Sequence, residues 1–212
     1  MKVFFAIGLV LFMFGCGDLN DENNVVSYRI VKETENLNFS KANVDVRLSK
    51  KVSEEELAKL AHLLRKDRKN FANLWIAYYQ PGQQLGSGAW ATTHFTPELE
   101  VKILGLTADE EEKMVNTAKS TSRDVVGIWL DDRSLVGNTV TIYRENQRLY
   151  LESRHKDGSG STDEMTESQL NNATKLVEKS GNPHGEYFVL DKNGQLQAGG
   201  NDGIFLKYKK IK

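Results

Sequence analysis

The chain has 212 residues, with 28 lysines and arginines against 29 acids and 39% hydrophobic residues. A net charge of −1 leaves no basic excess, so there is no electrostatic case for nucleic acid. The single cysteine excludes an intramolecular disulfide framework, and a mean hydropathy of −0.49 is ordinary for a globular chain.

The first element is Met1-Lys2 followed by an unbroken apolar run from Val3 to Phe14. One positive charge, about a dozen apolar residues and a small residue are the layout of a secretory signal. The run is shorter than the roughly 20 residues a membrane-crossing helix needs. Residues 1–15 are therefore read as a signal peptide, and the polar stretch that follows, residues 16–24, as a tether. The quartet Met13-Phe14-Gly15-Cys16 resembles a bacterial lipobox, with Met13 in place of the usual leucine. The resemblance implies that Cys16 carries a lipid and becomes the new N-terminus. It implies a membrane partner reached through that anchor and a cell-envelope location. Gly17 rather than aspartate after Cys16 implies the outer membrane, facing the periplasm, in a Gram-negative host. Loss of Lys2 leaves 27 cations against 29 acids, a net charge near −2.

Residues 25–106 read as a first domain. Val26, Tyr28 and Ile30, then Val44, Val46 and Leu48, alternate with polar neighbours and predict two half-buried strands. Ser53 with Glu56 forms a capping box, and Leu57, Leu60, Ala61 and Leu64 give one apolar helix stripe. The basic run Arg65 to Lys69 suits the helix C-terminus; headgroup binding is its functional reading and a solvated helix end the plainer one. Leu74 to Tyr79 is apolar on both faces, which predicts a strand covered by the helix on one side and by another layer on the other. Residues 89–95 and 99–104 read as two more strands. The expectation is an α/β sandwich with a mostly antiparallel sheet and one long helix.

Thr107 with Glu110 is a second capping box, and residues 107–123 read as a helical connector. In residues 124–212, turn signals at Gly137-Asn138, Asp157-Gly158, Asn193-Gly194 and Asp202-Gly203 separate short strand-like runs. They predict a small antiparallel β-meander, barrel or sandwich, so the expected class is α+β. Residues 173–179 fit a helix or a strand, with strand preferred for the company they keep. Gly127-Ile128-Trp129 resembles the Gly-x-Trp of the first lipocalin strand; a core tryptophan of a smaller fold is the alternative reading.

The most individual stretch runs from Tyr78 to Trp90. Pro81, Gly82, Gly86 and Gly88 lie between the aromatic ends Tyr79 and Trp90. No helix follows the glycines, so neither a phosphate loop nor a nucleophile elbow is indicated. The functional reading is a partner-binding loop with Tyr79 and Trp90 as aromatic contacts; the plainer one is a flexible hairpin loop. The stretch through Gly105 is similar to a domain of poorly characterised bacterial lipoproteins, which assigns no residue a role. His62, His94, His155 and His184 have no metal-ligand spacing, and no EF-hand loop closes around Asp131-Asp132 or Asp191. No metal and no cofactor are expected. The leading expectation is a non-enzymatic, membrane-anchored envelope lipoprotein binding a protein or cell-wall partner, with an immunity or exclusion role as one form. A periplasmic carrier of lipophilic ligands, using the C-terminal β region, is the alternative. A hydrolase using Ser87 or His94 comes third.

Overall fold

A computed structural model describes residues 26–212; the expected signal peptide, tether and lipidated Cys16 lie outside the described residues. Alternation of small and β-branched residues sets the first sheet. Strands β1 (Tyr28–Asn36), β2 (Lys41–Leu48), β3 (Asn73–Tyr79), β4 (Ala91–Phe95) and β5 (Leu99–Ile103) lie side by side in chain order. β2 and β3 run parallel because helix α1 (Glu54–Lys66) carries the chain back between them, and the other pairs are antiparallel. Ser53 caps α1 with both bonds of the capping box. The helix stripe Leu57, Leu60, Ala61 and Leu64 packs on Val44, Val46, Leu74, Ile76 and Tyr78 to make one core.

The second sheet is a meander. After helix α2 (Ala108–Lys119) come β6 (Asp124–Asp131), β7 (Asn138–Glu145), β8 (Arg148–His155), β9 (Gly160–Leu170), β10 (Ala173–Glu178), β11 (Tyr187–Asp191), β12 (Leu196–Gly200), β13 (Gly203–Lys207) and β14 (Lys209–Lys210). Each pairs antiparallel with its neighbour, and β14 returns to pair with β6. Only Tyr208 separates β13 from β14, so the last run of chain leaves β12 and joins β6. The nine strands thus form a nearly closed, barrel-like sheet. Its inside is filled by Trp129, Ile142, Leu151, Met165, Leu176 and Leu196, among others. Trp129 donates from Nε1 to the Gly194 carbonyl at 3.0 Å, and its ring lies over Gly127, where a Cβ would meet it at 2.3 Å. Trp129 is thus a core tryptophan, and Gly127 is needed for the close approach.

The expected α+β class is overturned. Strands make up 49% of the described residues and helices 15%, and the fold is mostly β. Among the described residues there is no single long helix: α1 and α2 have 13 and 12 residues. The excess of strand comes largely from the C-terminal part. β9, GSTDEMTESQL, shows no alternation and buries only Met165, yet its backbone pairs along both edges with β8 and β10. Residues 173–178 are strand, as preferred. The second layer expected over β3 is missing as well. Its outer face is open, and Trp75 remains 41% exposed between Lys41 of β2 and His94 of β4.

A seam joins the two sheets. Trp90 is 1% exposed and donates from Nε1 to the Leu106 carbonyl at 2.9 Å. Its backbone carbonyl accepts from the Leu104 and Gly105 amides, and a Cβ on Gly105 would sit 2.5 Å from the indole. Leu106 in turn packs with Met114 of α2 and Leu130 of β6. Beside this contact Glu111 of α2 binds Lys51, from the loop before α1, at 2.6 Å and Lys209 of β14 at 2.7 Å.

Candidate functional site: the cleft under helix α2

The outer face of β7 and β8 carries polar side chains by strict alternation. Val140 and Ile142 turn inward, so Thr139, Thr141 and Tyr143 turn outward; opposite them stand Arg154, Glu152 and Tyr150. α2 crosses this face, held there by Met114, and leaves a cleft of about 480 Å³. Its lining includes four cationic side chains, Lys113, Arg123, Arg154 and Lys156, against two acidic ones, Glu152 and Asp157. Lys156 is drawn to Glu110 at 3.1 Å, which ties the β8–β9 turn to the first turn of α2.

Glu152 organises the cleft. The residue is 9% exposed and accepts from Arg123 Nη1 on one oxygen and from Arg154 Nε on the other. Burial favours the neutral acid, but the hydrogen bonds and charges of Arg154 and Arg123 outweigh it, so its carboxyl lies below the usual carboxylate range. Both arginine side chains remain close to half exposed, at 40% and 46%. Each guanidinium carries five N–H donors, so one carboxylate leaves donors over on both. Arg123 is also stacked on Tyr143, 4.3 Å from the ring centroid, and Tyr143 stacks on Tyr150. The arrangement is a fixed pair of forked donors at a cleft mouth, which suits planar or tetrahedral oxyanions.

The residues expected to form a partner-binding loop divide. Tyr79 is 7% exposed and Trp90 1%, so both aromatic flanks are core residues. Trp90 is buried because it closes the seam. Pro81, Gly82, Gly86 and Gly88 are exposed. The loop between them is braced: Arg47 donates to the Gln80 and Gln83 carbonyls, and Gln83 Nε2 donates to the Gly88 carbonyl at 2.6 Å. Ser87 donates to the Gln84 carbonyl, whereas His94 stacks on Trp75 with Nδ1 3.7 Å from Glu100. Ser87 and His94 therefore serve different partners. His155 reaches the cleft wall, while His62 lies edge-on to Phe95. Among the described residues no group of three or more His, Cys, Asp or Glu side chains is arranged to hold a metal ion, and no helix is long and apolar enough to cross a membrane.

Sequence reasoning missed Arg123, Glu152 and Arg154. One signal was present: Glu152 follows Tyr150 on the polar side of a strand whose other side, Leu149 and Leu151, is apolar. Comparisons with family models, with curated proteins and with solved structures find no match to this chain.

The lowered pKa of Glu152 gives the pH dependence of stability a definite sign. Between its folded value and the ordinary 4.5, the unfolded chain holds more protons, so stability rises with pH across that window. The contribution is complete above 4.5 and disappears as pH falls through the folded value. Urea unfolding midpoints measured from pH 6 down to pH 3 should drop more steeply for the wild type than for Glu152→Gln. Parallel curves would show that Glu152 is not held as an ion.

Proposed function

We propose that this chain is a non-enzymatic binding protein of the cell envelope, held at a membrane through the lipid expected on Cys16. Its ligand presents a carboxylate or phosphate group to the cleft under α2. The observation that supports this reading is the paired guanidinium groups of Arg123 and Arg154, oriented by the buried Glu152 at the rim of a 480 Å³ cleft. Holding two forks in place before a ligand arrives lowers the ordering cost of binding. A carrier of lipophilic ligands inside the barrel is not favoured, because the side chains of Trp129, Leu151, Met165 and Leu176 occupy that space.

Calorimetric titration of the full chain carrying Cys16→Ser with inorganic phosphate and with citrate tests the cleft. Replacing Arg123→Lys and Arg154→Lys keeps the charge and removes the forks. The expected result is saturable binding that weakens at least about tenfold in the double variant, on the order of the energy of one charged hydrogen bond. Equal affinity in both chains would remove the cleft from the function. Labelled palmitate tests the anchor separately: wild type should take it up and Cys16→Ser should not. Absence of label from both would take away the membrane part of the reading.

A further inference from the structure

The turn between β1 and β2 presents two large apolar side chains to solvent. Leu37 is 78% exposed and Phe39 73%. They sit on a single 3₁₀ turn, Leu37–Phe39, where the Phe39 amide donates to the Asn36 side-chain oxygen at 3.3 Å. The turn is firmly tied to the rest of the molecule. Ser40 takes the left-handed conformation, its hydroxyl accepts from the Ala72 amide at 2.8 Å, and its carbonyl accepts from the Asn73 amide at 3.0 Å. The chain leaving α1 is thereby fastened beside the tip. That chain is basic: Lys66 and Lys69 are exposed, and Arg68 holds Glu33 of β1 through two bonds of 2.7 Å. With Glu33 paired to Arg68 and Lys32 opposite Asp45 in the β1–β2 register, Lys41, Lys66 and Lys69 stand against Glu35 and Asp67 along this edge. Trp75 lies at the same end of the sheet, since Lys41 pairs with Asn73 and its ammonium sits 4.4 Å from the indole centroid.

We propose that this edge, with Leu37 and Phe39 leading and Lys41, Lys66 and Lys69 flanking, docks onto an anionic lipid bilayer. Apolar side chains on a protruding turn, ringed by lysines and followed by an indole, fit the depth profile of a membrane surface: acyl region, headgroup charge and interface. The turn is preformed, so insertion orders little that is not already ordered. A second copy of the chain is a poorer fit. A stable protein interface needs about 800 Å² from each partner, and a three-residue tip offers only a fraction of that. The edge is independent of the cleft and does not require the lipid on Cys16, although the two are compatible. Ten residues from Cys16 to Val26 reach at most about 35 Å, and β1 is about 30 Å long, so an anchored chain can lie with the hairpin along the same bilayer.

The protein contains its own reporter. Trp90 and Trp129 are each 1% exposed, so among the three tryptophans Trp75 is the one open to a quencher in lipid. The full chain carrying Cys16→Ser is mixed with vesicles of phosphatidylethanolamine and phosphatidylglycerol bearing brominated acyl chains, and with matching phosphatidylcholine vesicles. Docking predicts quenching on the anionic vesicles that disappears in Trp75→Phe and in the double variant Leu37→Glu with Phe39→Glu. That loss should occur even where the apolar run Val3 to Phe14 still brings the variant down with the vesicles. Both replaced residues are exposed, and an unchanged near-ultraviolet circular dichroism spectrum confirms the fold. Sedimentation without quenching, quenching that survives the double variant, or failure to bind anionic vesicles at all would each overturn the proposal. So would a doubling of mass by light scattering, without lipid, that the same double variant abolishes.

Discussion

The indole of Trp90 joins the two sheets, and the rest of the molecule is arranged around that bond. Its N–H satisfies the carbonyl of Leu106, and the residue after Leu106 is Thr107, the cap of α2. The position of α2 is therefore set from the first sheet, through one buried hydrogen bond and the packing of Leu106 on Met114 and Leu130. A buried carbonyl deprived of its donor costs on the order of 1–3 kcal/mol, which makes this contact expensive to break. Glu111 adds an electrostatic tie between the same parts. Burial pushes its pKa up, but Lys209 and Lys51 outweigh that and hold it below the usual carboxylate range, so it stays charged where three segments meet.

What α2 does once placed is to roof one patch of the barrel's outer surface. The barrel has filled its own interior, so its binding capacity lies outside, where alternation along β7 and β8 exposes a polar face. There the ionic chemistry is unusual for a surface. Exposed ion pairs contribute little because water competes for both partners, yet Glu152 is buried and shared by two guanidinium groups. The pairing is best understood as positioning: the carboxylate fixes where two exposed forks point. On the other sheet the β1–β2 turn leaves its apolar residues Leu37 and Phe39 exposed. Its backbone is pinned by Ser40, and Leu37 and Phe39 keep most of their surface in solvent. Cleft and tip therefore lie on different sheets and answer to different chemistries.

Parts of this architecture are legible in the sequence. The two capping boxes at Ser53 and Thr107 are local devices, and both form with both of their hydrogen bonds. The period-two runs of β2 and β5 and the Gly-containing turns of the C-terminal meander are likewise short-range signals. The failures are long-range. β9 exists because its neighbours offer two complete ladders of backbone partners, a reason that its polar side chains do not advertise. The apolar look of Leu74 to Tyr79 implied a second layer, but Trp75 stays 41% exposed, flanked by Lys41 and His94 from adjacent strands. Tyr79 and Trp90 read as exposed contacts because they flank a glycine-rich loop; the sequence does not show that Leu106, sixteen residues on, would come back to receive the indole. The cleft is hidden for the same reason: Arg123, just before β6, reaches Glu152 and Arg154 of β8 only when β6, β7 and β8 pair side by side.

The most direct test of this account acts on the seam and reads the cleft. In Trp90→Phe the bond to Leu106 is lost and no cleft residue is altered. Amide hydrogen exchange of the full chain should then accelerate across residues 108–119 while the barrel strands keep their protection, and phosphate binding should weaken along with it. Unchanged exchange in α2, with phosphate binding intact, would contradict the claim that the first sheet positions the helix that shapes the site.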